Sequence, residues 1–214
     1  MSDGSRLILA LDLVDVGRAL RMAQDISPHC FAIKVNWPII LHAGPQIIRE
    51  ISRFSRVICD LKLADIPNTN RLIVERVREL GAWGVIAHSF VGQDSLRAVV
   101  EAAGDMKVFS VVAMSHPGAS DLLNRFHDML IDISMKAGVY GFVAPGNNEA
   151  VLRQIRARAG GMKIISPGIG AQGGDEVSAV AAGADYVIVG RKIYQASDPV
   201  KVAMEIDQRL SMML

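Results

Sequence analysis

The feature that most constrains the fold is a repeated alternation of apolar runs and helix-like segments along the whole chain. The first run, Arg6–Asp12, is almost continuously apolar, as in a strand buried on both faces of a parallel sheet. The next segment, Val16–Ile26, has helical spacing, and Asp15 is its predicted N-cap. The alternation recurs in eight units of about 25 residues, which predicts an α/β fold closed into a (β/α)8 barrel, also called a TIM barrel.

The other units follow the same order of strand and helix. The predicted strands are Cys30–Val35, Arg56–Leu63, Gly84–Ala87, Lys107–Val112, Gly141–Val143, Met162–Ile165 and Tyr186–Val189. The predicted helices are Pro38–Phe54, Pro67–Leu80, Asp94–Ala103, Ala119–Ala137, Asn147–Ala159 with Asn147 as N-cap, Asp175–Ala182 and Pro199–Leu210. An open doubly wound sheet is the alternative, but it usually has a glycine-rich turn after the first strand, and residues 10–15 contain no glycine.

Length, charge and cysteine content narrow the class of protein. A chain of 214 residues, half of them hydrophobic, predicts one domain spanning residues 1–214. The formal net charge is +1, so we expect neither nucleic acid nor an anionic membrane as a partner. The apolar runs are too short to span a bilayer. The two cysteines lack zinc-ligand spacing and no signal-like segment precedes the first strand, so we expect a cytoplasmic protein.

Three charged residues lie where the third predicted strand ends. Asp60 and Lys62 are two residues apart, so a strand would point both to the same side of the sheet. Asp65 follows in the predicted loop, and Pro67 is well placed to begin the next helix. A solvated surface cluster is the alternative, but charges inside an apolar strand are costly to bury unless they are paired. The pattern therefore favours an active site, which barrels build at the carboxyl ends of their strands.

The first two strands also end in charged residues, Asp12 and Lys34. In a closed barrel these residues meet Asp60 and Lys62 at one mouth and form a row of alternating charge. Carboxylates nearby favour the charged form of a lysine. The sequence therefore predicts that Lys62 is a proton donor and not a Schiff-base nucleophile, which needs a depressed pKa.

A glycine-rich loop, Ser166–Asp175, follows the seventh strand, and Gly190 and Arg191 follow the eighth. In barrels, the loops after the last two strands commonly form a phosphate site together with a helix N-terminus. Gln172 could reach across this site as a clasp, and residues 168–174 form a candidate lid. A merely tight turn is the alternative for the loop alone, but Gly-Arg after the next strand favours phosphate binding.

The loop after the fifth strand contains Ser115 and His116. A serine hydroxyl donates and accepts hydrogen bonds, so Ser115 is suited to read the amide or imide edge of a planar ring. A hydrolase triad is not indicated, because neighbours in sequence seldom aim at each other and no orienting acid is evident. His88, at the end of strand four, is interpreted as a hydrogen-bonded structural histidine, with metal binding as the alternative.

Four motifs together resemble the orotidine 5′-phosphate decarboxylase family. They are Asp60-x-Lys62-x-x-Asp65-Ile-Pro-x-Thr69, Met114-Ser-His-Pro-Gly, Pro167-Gly-Ile-Gly-Ala-Gln-Gly-Gly and Val189-Gly-Arg191. Their order and spacing match along nearly the whole chain. The resemblance implies a (β/α)8 barrel, a homodimer with two active sites shared at the interface, orotidine 5′-phosphate as substrate, and no cofactor or metal.

The resemblance also implies a role for each matching residue. Lys62 would protonate C6 of the pyrimidine as carbon dioxide leaves, and Asp60 would face the substrate carboxylate. Asp12 and Lys34 would hold the ribose and complete the charged row, and Lys34 is counted with Lys62, Asp60 and Asp65 as catalytic. The remaining predicted contacts are Asp65, Ile66 and Thr69 to the neighbouring subunit's site, Ser115 to the pyrimidine, Gln172, Gly190 and Arg191 to the phosphate, and Pro167 to the substrate.

The chain departs from the family pattern in two places. Asn36-Trp37-Pro38 stands where family members often have Gly-Tyr-Pro, and Trp37 is expected to pack at the start of a helix. The phosphate loop is also short. One alternative function is that of the magnesium-dependent 3-keto-L-gulonate 6-phosphate decarboxylases and hexulose-phosphate synthases, which would place a glutamate where this chain has Lys34. A non-catalytic barrel that binds a phosphorylated metabolite is the other.

Overall fold

The computed structural model describes residues 4–213, in which eight parallel strands close into a barrel in sequence order. The strands are β1 Leu7–Ala10, β2 Ala32–Asn36, β3 Val57–Leu63, β4 Gly84–His88, β5 Lys107–Val111, β6 Gly141–Val143, β7 Lys163–Ser166 and β8 Tyr186–Val189. β1 pairs with β8 through Leu7 opposite Val187, which closes the sheet on itself. The predicted (β/α)8 barrel is therefore confirmed.

Helices follow the strands and cover the outside of the barrel. They are α1 Val16–Ile26, α2 Trp37–Ala43, α3 Gln46–Ser52, α4 Pro67–Glu79, α5 Gln93–Ala103, α6 His127–Ala137, α7 Glu149–Ala159, α8 Glu176–Ala181, α9 Arg191–Tyr194 and α10 Pro199–Ser211. The predicted bounds of α1 are confirmed, and the Asp15 side chain caps it by accepting a hydrogen bond from the Arg18 amide at 2.9 Å. Within residues 4–213, no helix is long and apolar enough to cross a membrane.

The single helix predicted for Pro38–Phe54 is wrong, because the segment forms two helices, α2 and α3. The break falls at Gly44, which has a φ of +76°, and at Pro45. Glycine adopts this left-handed conformation at little cost, and proline has no amide hydrogen to continue a helix.

The helix predicted for Ala119–Ala137 begins only at His127. The residues before it form two short 3₁₀ turns, Pro117–Ser120 and Leu123–Phe126. The Asn124 side chain binds both backbone groups of Met114, accepting from its amide at 2.9 Å and donating to its carbonyl at 3.1 Å. Such side-chain bonds to the backbone compete with helix formation, so the loop after β5 keeps its own shape.

The cap predicted for α7 is also wrong by one residue. Asn148, and not Asn147, accepts the hydrogen bond from the Val151 amide, at 3.2 Å. α8 likewise begins one residue later than predicted, with Asp175 as its N-cap. The Asn147 side chain therefore does not cap α7, and it makes the hydrogen bonds near the candidate site that are described below.

The core has an inner layer inside the barrel and an outer layer between sheet and helices. Isoleucine and valine side chains from alternate strand positions fill the inner layer. The amino ends of the strands are closed by aromatic rings, among which Phe31 stacks on Tyr186 at 4.2 Å and meets the edge of Trp83 at 5.2 Å. This packing leaves the carboxyl ends of the strands for the polar residues.

Candidate active site

Four charged side chains form a row near the carboxyl ends of β1, β2 and β3. Asp60 lies in the middle, and its two oxygens accept hydrogen bonds from Lys34 Nζ at 2.8 Å and Lys62 Nζ at 2.7 Å. Asp12 Oδ1 lies 4.0 Å from Lys34 Nζ on the other side. The structure thus brings together, in alternating order, the four residues that the sequence placed at one mouth.

The two residues at the centre of the row, Lys34 and Asp60, keep their charges although they are buried. Burial by itself lowers the pKa of Lys34, but attraction to Asp60 and Asp12 outweighs it and raises the pKa above the ordinary value. Burial likewise acts to raise the pKa of Asp60, but Lys34 and Lys62 outweigh it and lower the pKa. Lys34 and Asp60 are 6% and 7% exposed, so the site has a compensated buried ion pair.

The backbone that carries Lys62 is irregular. Between Cys59 and Leu63 the pairing of β3 with β4 shifts, so that four steps along β3 match two along β4 from Val85 to Ala87. Lys62 has a φ of +46°, which is the only positive φ at a non-glycine residue among residues 4–213. A left-handed conformation at such a residue costs roughly 1–2 kcal/mol. Asp60 and Lys62 do lie on the same side, as predicted, but the backbone between them is not the regular strand on which that prediction was based.

A cavity of about 310 Å³ opens beside the row. Its floor is apolar and includes Ile86, Val111, Val143 and Ile188 from four strands. Nine of the predicted site residues line it: Asp12, Lys34, Asp60, Lys62, Ser115, Pro167, Gln172, Gly190 and Arg191. A concave site with an apolar floor and a few convergent polar groups is typical of a small-molecule site.

The glycine-rich loop covers the side of the cavity opposite the charged row. Gly168, Gly170 and Gly173 all have a positive φ, and the Gly170 amide donates to the Gly174 carbonyl at 2.8 Å. A Cβ on Gly168 would lie 3.0 Å from Asn147 Oδ1 and 3.1 Å from Ser115 Cβ. The loop therefore folds back on itself and packs closely against the loop after β5, which requires glycine at these positions.

Asn147 is a site residue that the sequence reasoning missed. Its Nδ2 donates to the carbonyl of Ser115 at 3.1 Å and to the carbonyl of Gln172 at 3.2 Å. One side chain from the loop after β6 thus joins the loops after β5 and β7. The only sequence signal was a pair of asparagines before a helix, and it was assigned to capping.

Three predicted residues lie outside this cavity. Asp65 and Ile66 are exposed and Thr69 is partly exposed, on the surface that follows β3. The backbone there is held firmly, because the Asp65 carbonyl accepts hydrogen bonds from Asn70 Nδ2 at 2.9 Å and Ser95 Oγ at 2.6 Å. These three residues therefore do not contribute to the cavity of their own chain.

His88, at the end of β4, differs from its predicted role. Its Nδ1 is buried and has no hydrogen-bond partner among the described residues, so the expected hydrogen-bonded histidine is not found at that nitrogen. Burial, reinforced by Lys62, lowers the pKa of His88 to about 4, so the ring is neutral at physiological pH. Across residues 4–213, no three His, Cys, Asp or Glu side chains cluster as metal ligands would.

The closed barrel, the charged row and the facing glycine-rich loop place this chain among the (β/α)8 enzymes that bind a small anionic substrate at the carboxyl ends of their strands. More narrowly, the chain belongs to the orotidine 5′-phosphate decarboxylase / HUMPS family, whose family model matches residues 5–206. The resemblance stated from the four motifs is thereby confirmed.

Named relatives and solved structures agree with this assignment. The chain is 57% identical to orotidine 5′-phosphate decarboxylase of Thermoplasma acidophilum, over 97% of this chain and 96% of that protein. It is 53% identical to that of Thermoplasma volcanium, over 95% and 92%. The crystal structure of the Pyrococcus horikoshii enzyme is 45% identical, with a TM-score of 0.89, over 95% and 98% of the two chains. That of the Methanocaldococcus jannaschii enzyme, complexed with the inhibitor BMP, is 40% identical, with a TM-score of 0.91, over 96% and 98%.

Proposed function

We propose that this chain decarboxylates orotidine 5′-phosphate to uridine 5′-phosphate and carbon dioxide, the last step of UMP biosynthesis. The observation that carries the proposal is the charged row from Asp12 to Lys62, which faces a glycine-rich loop across one cavity. Two relatives named for this activity, at 57% and 53% identity, support it. The same proposal takes residues 1–214 as one domain and the cytoplasm as its compartment.

In the proposed reaction Lys62 is the acid. The bond between C6 of the pyrimidine and the carboxylate breaks, the electron pair stays on C6, and the Lys62 ammonium transfers a proton to that carbon. Asp60 holds the ammonium at 2.7 Å, so the positive charge is in place before negative charge develops at C6. A preorganised charge of this kind stabilises the transition state without reorganisation of the site. Lys62 then regains its proton from water, since its side chain is 38% exposed.

Asp60 and Lys34 prepare the site for this step. Asp60 faces the substrate carboxylate, and the repulsion between the two anions is relieved as carbon dioxide leaves. Lys34 and Asp12 hold the ribose hydroxyls, and Lys34 together with Lys62 keeps Asp60 ionised. The charged row therefore acts on the reacting end of the substrate.

The opposite wall of the cavity binds the ends of the substrate that do not react. Ser115 reads the pyrimidine edge, and Pro167, Gln172, Gly190 and Arg191 surround the 5′-phosphate. Arg191 supplies a guanidinium, which suits the geometry of a phosphate. Binding energy gained at this remote group closes residues 168–174 over the substrate and offsets the cost of placing a carboxylate beside Asp60.

The proposal includes a homodimer with shared sites. Asp65, Ile66 and Thr69 lie outside the cavity of their own chain, and Ile66 is 65% exposed. In a two-fold dimer the same surface of each chain can complete the site of the other. This arrangement explains why a charged and an apolar side chain are both exposed beside the site.

No metal or cofactor takes part in the proposed reaction. The family description covers more than one activity, so the magnesium-dependent relatives are the second candidate. Lys34 argues against them, because its buried ammonium occupies the end of β2 and repels a divalent cation. A non-catalytic phosphate sensor would have no use for the Lys62 ammonium that Asp60 holds beside the cavity.

The deciding experiment is an ultraviolet assay of orotidine 5′-phosphate conversion, with and without a chelator. We expect turnover that the chelator leaves unchanged, and Lys62→Ala should abolish it while UMP still binds. Arg191→Ala should weaken UMP binding but not uridine binding. Turnover of a keto-sugar phosphate only with magnesium would assign the chain to the second candidate instead.

A second experiment tests the shared site. Inactive Asp60→Ala and Asp65→Ala chains are mixed under conditions in which subunits exchange. A heterodimer should regain activity, because one of its two sites then contains neither substitution. No recovery despite proven exchange would refute the shared site and leave the chemistry of a single chain to be tested separately.

A further inference from the structure

Trp37 contacts the bulge that carries Lys62. It is the first residue of α2, directly after β2, and its Nε1 donates a hydrogen bond to the carbonyl oxygen of Leu61 at 3.0 Å. The residue is 45% exposed, so its ring is not packed away at the helix start as expected. Its indole N–H instead reaches from the start of α2 to the backbone of β3.

Leu61 lies between Asp60 and Lys62, the two residues on which the proposed chemistry depends. It also lies inside the stretch from Cys59 to Leu63 where β3 loses its regular pairing with β4. A bulge leaves some backbone groups of a strand without a hydrogen-bond partner in the neighbouring strand. Here a side-chain donor, the Trp37 indole, supplies the hydrogen bond to the Leu61 carbonyl. The next residue, Lys62, has the left-handed φ of +46°.

We propose that Trp37 is a positioning residue for Lys62. Its indole N–H holds the Leu61 carbonyl, and this contact keeps the following residue in the strained conformation that places the ammonium 2.7 Å from Asp60. Trp37 does not line the cavity, so it acts through the backbone and not on the substrate. The inference deepens the proposed function and rests on it, since it concerns the residue assigned as the acid.

Two substitutions at position 37 isolate the hydrogen bond. Trp37→Phe keeps an aromatic ring and removes the donor, and replacement by 3-benzothienylalanine changes only N–H to sulfur. Loss of one hydrogen bond that acts in the transition state should lower kcat about fivefold to tenfold. KM and the Kd for UMP should stay within about twofold, because the phosphate wall does not depend on Trp37.

The matched control is Trp83→Phe, the same chemical change at the other tryptophan of the chain. Trp83 belongs to the aromatic cluster at the amino ends of the strands, so this variant loses stability but keeps kcat below its unfolding temperature. A fall of kcat in both position-37 variants but not in the control supports the positioning role. A crystal structure of Trp37→Phe should show Lys62 displaced from Asp60.

The unsubstituted protein is assayed in parallel, so that failure of the proposed function can be distinguished from failure of the positioning role. If it does not convert orotidine 5′-phosphate, the proposed function fails, and the Trp37→Phe structure alone decides the positioning role. If it does convert the substrate and either position-37 variant retains its full kcat, the positioning role is overturned. A Trp37→Phe structure with Lys62 unmoved would overturn it as well.

Discussion

Removing the charge of Asp60 tests whether the buried centre of the row consists of mutually compensating charges. In Asp60→Asn the side chain keeps its shape, but Lys34, which is 6% exposed, loses its partner at 2.8 Å. Asp12, at 4.0 Å, is then the nearest remaining carboxylate of the row. A buried cation with one distant counter-charge is a costly arrangement.

The structure allows the size of the effect to be estimated. Breaking a buried ion pair on one side lowers the free energy of unfolding by about 3 to 5 kcal/mol. Asp132→Asn, which breaks an exposed pair with Arg158, is the matched control and should change it little. Adding Lys34→Met to Asp60→Asn should restore most of the loss, because no unpaired buried charge then remains.

The pH dependence gives a sharper test through its sign. In the unsubstituted protein the pKa of Lys34 is raised, so its contribution is complete below 10.5 and is lost as the pH rises through the higher folded value. In Asp60→Asn, burial dominates and the pKa of Lys34 falls below 10.5. The unfolded chain then binds more protons than the folded one, so the variant gains stability as the pH rises through that window.

Urea unfolding followed by tryptophan fluorescence measures these quantities, from neutral pH to about pH 10. The protein concentration is held fixed, because the proposed dimer would make the apparent stability depend on it. We expect the deficit of Asp60→Asn to be largest at neutral pH and to narrow toward alkaline pH. A deficit equal to that of Asp132→Asn, or one independent of pH, would refute the compensated row.

Three further predictions concern the surroundings of the row. Burial lowers the pKa of His88 from 6.5 to about 4, so the free energy of unfolding should fall as the pH drops from 6.5 to 4. In urea unfolding, His88→Gln should make this pH dependence weaker. An unchanged pH dependence would contradict the assignment. Asn147→Ala removes the link between two loops and should weaken UMP binding about threefold to tenfold in calorimetry, whereas equal affinity would show that the link is dispensable. Glu176→Gln leaves Lys192 and Arg209 without their fully buried partner and should lower the urea midpoint of unfolding. An unaltered midpoint would mean that these two ion pairs do not stabilise the fold.

The strands could be predicted from sequence because burial on both faces leaves a continuous apolar run. The bounds of β6 and β8 agree with the prediction, and those of the other strands lie within two residues of it. The helix break at Gly44 has a local sequence signal, Gly44 followed by Pro45, which the prediction of a single helix did not use. The late start of α6 had none, since it depends on Asn124 meeting Met114 ten residues earlier in the folded loop.

The residues of the site could be predicted from their types and their places at strand ends, but their geometry could not. The bulge at Lys62 is a property of the register between two strands, and the sequence of β3 alone does not specify it. The role of Asn147 depends on two loops that are distant in sequence coming within reach of one side chain. Both features arise from tertiary packing, which local patterns do not encode.

The two ends of the barrel differ in the interactions that they contain. At the amino ends of the strands, aromatic rings pack edge to face, and Arg56 and Lys107 lie over the rings of Phe31 and Tyr140. At the carboxyl ends lie the buried ion pair, the left-handed Lys62 and three of the four buried side-chain atoms that have no partner among the described residues. Those three are Asn36 Oδ1, His88 Nδ1 and Ser166 Oγ, at the ends of β2, β4 and β7. Lys62, Asp60 and Lys34 all line the cavity, so the strained backbone and the buried charges lie where the proposed reaction requires a preorganised charge.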